Sequence, residues 1–223
     1  LVDLNETPAK GKISNSNGYA LAALIEECGA RAVQLGIAKD TKESLKEKLG
    51  AAIRAADCII SSGGVSVGDY DFVKDVLKEM GSRMVFWKVA MKPGKPLAFG
   101  VIGGKPAFGL PGNPVSSMVA FEQFVKPAIQ KMSGTSILTH HTLPARLTKD
   151  ILIKPGRTNF IRALLDIIGP ENTVTPLEGQ GSGMILTMVK ANSFIIVPAE
   201  SGGFKKDEIV RVQPFDAGIL TGR

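Results

Sequence analysis

Cys58-Ile59-Ile60-Ser61-Ser62-Gly63-Gly64-Val65-Ser66-Val67-Gly68-Asp69-Tyr70-Asp71-Phe72-Val73 decides the fold class. Residues 58–60 are a short apolar run, the texture of a buried strand. Residues 61–68 are small and rich in glycine. From Asp71 onward, Phe72, Val73, Val76, Leu77 and Met80 recur at helical spacing, which predicts a helix over 71–80. Strand, glycine loop and helix in succession form the building unit of an open α/β sheet. In such sheets ligands sit beyond the carboxyl ends of the strands.

The same texture extends outward in both directions. Upstream, Asn17 reads as an N-cap before Leu21, Leu24, Ile25 and Cys28, and Gly29 closes that helix. Ala32 to Ile37 reads as a strand. Asp40 and Glu43 form a capping-box-like pair before a helix that buries Leu45, Leu49 and Ile53. Downstream, Met84 to Val89 is a strand, and Leu97–Val101 and Pro106–Leu110 flank a Gly103-Gly104 hairpin turn. Asn113 then caps a helix with Pro114 at its first position, running to about Met132 and ended by Gly134. Residues 1–136 are therefore expected to be an α/β domain with a mostly parallel sheet and helices on both faces.

After Gly134 the chain changes character. Five short β-like runs follow: Ala145–Thr148, Asn159–Leu165, Thr173–Thr175, Phe194–Val197 and Glu208–Val212. Residues 137–223 read as a second, smaller, β-rich domain, with Ser182–Val189 either β-like or a short helix.

Composition narrows the function classes. The 223 residues carry a net charge of +6, without a basic stripe interleaved with aromatics, so a nucleic-acid partner is not expected. No run of about 18 apolar residues predicts a membrane span. Cys28 and Cys58 read as small buried hydrophobes, and neither shares a metal-ligand spacing with His140 and His141. Two cysteines without a disulfide framework fit a reducing, cytoplasmic setting.

Three loops carry the chemistry. Residues 61–68 offer backbone N–H groups and serine hydroxyls at a helix start, the makings of an anion site. Lys92-Pro93-Gly94-Lys95-Pro96 holds two lysines on a proline-restricted backbone, and Lys88 adds a third cation. Gly109-Leu110-Pro111-Gly112-Asn113-Pro114-Val115-Ser116-Ser117 brings a second helix start to the same sheet edge. Asp40 and Asp71 lie at helix starts nearby and could hold Mg²⁺ against a phosphate. The chain has no Walker A lysine pattern and no nucleophile elbow.

In this order SSGGVSVGDYD, FWKVAMKPGKP and GLPGNPVSS, followed by GRTNFIRA and GQGSG, resemble the molybdopterin molybdenumtransferase family, which includes MoeA and the gephyrin E domain. The resemblance implies an α/β molybdopterin-binding domain followed by a small β-barrel-like domain. It implies insertion of molybdenum from molybdate into adenylated molybdopterin with release of AMP, assisted by Mg²⁺. Asp40 and Asp71, read above as the metal pair, match the family's essential acidic positions, and Lys88 and Lys92 match its essential lysines. Lys92, Lys95 and Pro96, with Ser116, would hold molybdate or the dithiolene, and Arg162 and Ser182 would complete the oxyanion pocket. Pro111, Gly112, Asn113 and Pro114 would shape one loop, and Ser62, Gly63, Gly64 and Ser66 would line the pterin-phosphate cleft.

Family members carry two further domains and a TGDE-like motif before the point matching Leu1. The chain is thus expected to be a fragment of a homodimeric enzyme, with weak pterin binding and inefficient insertion on its own. Two alternatives remain open: a molybdopterin adenylyltransferase-like enzyme, and a receptor-scaffold module.

Overall fold

The computed structural model describes residues 1–3, 5–64, 71–135, 140–167 and 171–215, and for residues 71–74 the backbone alone. The chain divides into two compact units, Leu1–Val89 with Pro96–Thr135, and Ala90–Lys95 with Ser136–Arg223. Residues 90–95 thus group with the second unit although they precede the end of the first in sequence.

The elements up to residue 135 are α1 (Ser16–Glu27), α2 (Lys42–Ala55), β1 (Ile59–Ser62), α3 (Asp71–Glu79), β2 (Arg83–Trp87), β3 (Met91–Lys92), β4 (Ala98–Ile102), β5 (Lys105–Leu110), α4 (Pro114–Ala120), a π-helical turn (Phe121–Val125) and α5 (Lys126–Met132). Four of the strands form one sheet in the order β1-β5-β4-β2. Helices pack on both faces. Leu21, Leu97, Phe108, Leu110, Phe121, Val125 and Ile129 form the core against α1, α4 and α5. Leu49, Ala52, Ile59, Val76 and Ile102 form the core against α2 and α3.

The α/β class is as the sequence predicts, but the strand directions are mixed rather than mostly parallel. β1 runs parallel to β5, whereas β5–β4 and β4–β2 are antiparallel. The Gly103-Gly104 turn causes this: both glycines have positive φ, 57° and 76°, which two-residue hairpin turns require and which makes neighbouring strands antiparallel. β1, β5 and β2 consequently point the same way, and their carboxyl ends share one end of the sheet.

Other local expectations are resolved as follows. Gly29 (φ 77°) and Gly134 (φ 82°) end their helices in the left-handed conformation, as read. α1 is capped by Asn15, whose Oδ1 accepts from Gly18 N at 3.1 Å, and not by Asn17. α2 is capped by Thr41, whose hydroxyl accepts from Ser44 N at 3.2 Å, and not by Asp40. Ala32–Ile37 forms no strand: Lys48 Nζ donates to the Leu35 carbonyl, taking an acceptor that a neighbouring strand would use. The helix over 114–132 widens to a π turn at Phe121–Val125. Pro127, which has no N–H and would crowd the preceding turn, follows it after Lys126.

The second unit contains β6 (Leu143–Leu147), β7 (Ile151–Leu152), β8 (Thr158–Asp166), β9 (Thr173–Pro176), α6 (Leu186–Lys190), β10 (Ser193–Val197), β11 (Gly203–Phe204) and β12 (Ile209–Pro214). The five β-like runs correspond to β6, β8, β9, β10 and β12. These close into a barrel, because β10 pairs with both β12 and β8. Leu147, Ile195, Val197, Val174 and Val212 fill its interior. β3 adds a parallel pairing to the start of β8. Ser182–Val189 resolves towards helix, as α6.

Phe121 is fully buried in the first unit. Phe121→Ala is expected to lower the unfolding free energy by about 3–5 kcal/mol in urea titration. Burial raises the Cys58 thiol to about 11. At pH 8 Cys58 should react with a thiol reagent about 100-fold more slowly than a small free thiol, measured by alkylation and mass spectrometry.

Candidate functional site

The shared end of the sheet gathers two of the three loops singled out in the sequence, those that follow β1 and β5. After β1 the chain turns through Gly63 and Gly64, with φ of 87° and 74°. After β5 it turns through Pro111-Gly112-Asn113 into α4. The two turns are joined by Gly63 N donating to Leu110 O at 3.0 Å. A Cβ on Gly112 would lie 3.7 Å from the Gly63 Cα, so the backbones run close together. Lys88 leaves β2 at the same end. It adopts φ 94°, a conformation that a residue with a side chain rarely takes, and its N–H donates to Leu97 O at 2.8 Å.

Asn17, read from the sequence as a cap, has a different role. Its Nδ2 donates to Ser62 Oγ at 2.7 Å and to Gly112 O at 2.8 Å. Ser62 Oγ donates in turn to Pro111 O at 3.2 Å and lies 3.5 Å from Ser117 Oγ. One amide thus ties α1 to the turns after β1 and β5. The available signal was the doublet Asn15-Ser16-Asn17: only one of the two asparagines can cap, which leaves the other to project elsewhere. Asn113 holds the N-cap position of α4 without a side-chain cap bond, and Pro114 follows as expected. Ser116 and Ser117 are buried in the first turn, and Ser117 is the one that reaches the Ser62 network. Ser66 lies outside the described residues.

Asp40 and Asp71 stand at matching ends of two helices. Lys42 pairs with Asp75 at 3.2 Å, and Lys46 pairs with Glu79 one turn further along both helices. α2 and α3 are therefore parallel and in step. Asp40 precedes the Thr41 cap of α2, and Asp71 is the first residue of α3.

The remaining predicted cations group in the second unit. Lys92, on β3, is paired in register with Asn159 of β8. Lys92 and Lys95 are exposed, and Pro96 begins the return to the first unit. Three residues beyond Asn159, Arg162 has 0% exposure. Its Nη2 donates to the carbonyls of Gly179 and Gly181 at 3.2 and 3.3 Å. Among the described residues, neither Nε nor Nη1 has a partner. Burial pushes the guanidinium below its ordinary value. Gln180, which the sequence reading passed over, locks the loop onto the strand: its Oε1 accepts from Arg162 N at 3.1 Å and its Nε2 donates to Arg162 O at 2.9 Å. Ser182 is half-buried directly after Gly181. A buried cation with idle donors and only carbonyl partners suits an anion, since an isolated buried charge is strongly disfavoured.

Asn17→Ala removes two hydrogen bonds and leaves the Gly112 carbonyl without that donor. Stability should fall by about 1–3 kcal/mol in denaturant titration.

Residues 3–131 match the family model described as "Probable molybdopterin binding domain", and residues 144–215 match "MoeA C-terminal region (domain IV)". The chain is 35% identical over 215 residues to a molybdopterin molybdenumtransferase of Staphylococcus aureus (strain COL), covering 95% of this chain and 51% of the relative. It is 36% identical over 218 residues to one from Haemophilus influenzae, covering 97% and 54%. It thus spans about half the length of the curated relatives it matches. A crystal structure of a molybdopterin biosynthesis MoeA protein from Pyrococcus horikoshii superimposes with a TM-score of 0.81 at 30% identity, covering 97% of this chain and 52% of that one. With the model matching most of the first unit, the chain belongs to the molybdopterin-binding domain family, joined here to a segment like domain IV of MoeA.

Proposed function

We propose that this chain is the part of a molybdopterin molybdenumtransferase that binds adenylated molybdopterin and molybdate, and that the protein inserts molybdenum and releases AMP. The buried Arg162 with two idle donors carries this reading. A tetrahedral dianion supplies several acceptor oxygens, and a desolvated guanidinium binds such oxygens strongly. Lys92, Lys95 and Ser182 add donors in the same unit. In the first unit the turns at Gly63-Gly64 and Gly112-Asn113 offer backbone N–H groups to the phosphate of the pterin, with Lys88 as a counter-charge.

Asp40 and Asp71 are hard oxygen donors, the type that Mg²⁺ takes alongside phosphate oxygens, so this pair fits the metal. Bound there, Mg²⁺ would offset charge on the phosphoanhydride. The protein's own contribution is positioning and electrostatics: the lysines and Arg162 concentrate the dianion and neutralise its charge, and the Asn17 clamp holds the pterin-facing turns in place. We place the reaction in a cytoplasmic homodimer of the relatives' full length, acting on small molecules and not on nucleic acid or membrane.

The test is AMP release and cofactor formation from adenylated molybdopterin and molybdate, using the protein at its native length. Arg162→Ala should raise the KM for molybdate at least tenfold, with the melting temperature followed in parallel. Activity that ignores molybdate and consumes ATP would assign adenylyl transfer instead.

A further inference from the structure

A cleft of about 510 Å³ opens between α3 and the edge strand β2, lined by Leu77, Lys78, Ser82, Met84, Trp87 and Lys88. Its shape depends on an irregularity. In a regular strand, residues three apart face opposite sides of the sheet. Met84 and Trp87 nevertheless line one cleft, because the register of β2 against β4 slips between Met84 and Phe86. A bulge of this kind re-aims the side chains that follow it.

The lining has a definite chemistry. The Trp87 indole, Leu77 and Met84 offer apolar surface suited to a flat ring. Lys78 and Lys88 add two positive charges, and no carboxylate is among the six lining residues. Lys88 is held in a left-handed backbone conformation, the type of local strain that persists where the surroundings impose it. The volume is that of a small-molecule site. The cleft also reaches the ligand end of the sheet. Ser61, Gly109, Ala98 and Trp87 form one cross-strand row, so Trp87 lies three strand spacings, roughly 14 Å, from the β1 turn.

We propose that the α3–β2 cleft binds a flat nitrogen heterocycle bearing a phosphate ester, with the ring against Trp87 and Met84 and the phosphate oxygens on Lys78 and Lys88. The proposal deepens the reading above and rests on it through Lys88, by assigning one end of an elongated substrate to this cleft. Nucleotides and pterin phosphates share the chemistry.

Trp87 is the sole tryptophan of the chain, so its emission reports on this cleft alone. The chain is titrated with AMP and with neopterin monophosphate, followed by tryptophan emission and by calorimetry. Adenosine and inorganic phosphate serve as controls. Saturable binding is expected for at least one of the two phosphate esters, at least tenfold tighter than for either control. Lys78→Glu should weaken it at least tenfold at an unchanged melting temperature, and Lys78→Ala replaces that variant if it melts early. Binding of AMP alone assigns the nucleotide end, and binding of the pterin alone assigns the pterin end. No saturable change with either ester, adenosine binding as tightly as AMP, or an unchanged affinity in the Lys78 variant overturns the proposal. The measurement needs neither molybdate nor turnover. A failed insertion assay therefore leaves the cleft standing, and a silent titration leaves the insertion reaction standing.

Discussion

The parallel pairing of β1 with β5 is the constraint on which the first unit's chemistry depends. It aligns Ser62 with Leu110, so that both strands stop together and release their turns side by side. A parallel pair needs a crossover, and α3 lies within the stretch of chain between them. The hairpin at Gly103-Gly104 then reverses β4, and β2 on its far side is reversed again. Three strands thus deliver their carboxyl ends to one place, although only one pair of neighbours in the sheet is parallel.

The second unit handles charge differently. The first unit presents backbone turns at Gly63-Gly64 and Gly112-Asn113, with Lys88 at the same end of the sheet. The barrel instead buries one guanidinium outside its apolar interior, beneath the loop that runs through Gly179, Gln180 and Gly181. A buried guanidinium interacts strongly with an anion because little water screens it, and for the same reason it is an uneasy occupant when alone. Gln180 satisfies the Arg162 backbone N–H and carbonyl, and among the described residues only Nε and Nη1 of the side chain stay unmatched.

Much of this was legible in the sequence wherever a local rule decides. Gly29, Gly134 and the Gly103-Gly104 pair mark their turns because only a left-handed backbone fits there. The five β-like runs became the barrel strands because alternating burial leaves a period-two trace. The misreadings arose where two residues compete for one job. Asn15 and Asn17 are both good caps, as are Asp40 and Thr41, and local sequence does not say which will be released to reach a distant partner. Ala32–Ile37 has strand-like residues, but a strand also needs a neighbour. Met91 and Lys92 pair with residues far along the chain, and a two-residue strand has too little pattern to be read. The candidate site residues were singled out mainly through the glycine, proline and lysine motifs. Asn17 and Gln180 were missed because each acts through a contact remote in sequence.

The short strand β3 has a consequence for how the molecule can be made and cut. The chain leaves the first unit after Val89, lends residues 90–95 to the second, returns at Pro96 and departs finally after Thr135. Neither unit is therefore one continuous stretch of polypeptide. During synthesis the lysine-bearing strand emerges well before the barrel strand it joins, and it must wait unpaired until Thr158 and Asn159 have left the ribosome. A cut at the apparent domain boundary would separate Lys92 and Lys95 from the unit that holds Arg162. Modular exchange between relatives is thus bound to carry both segments together.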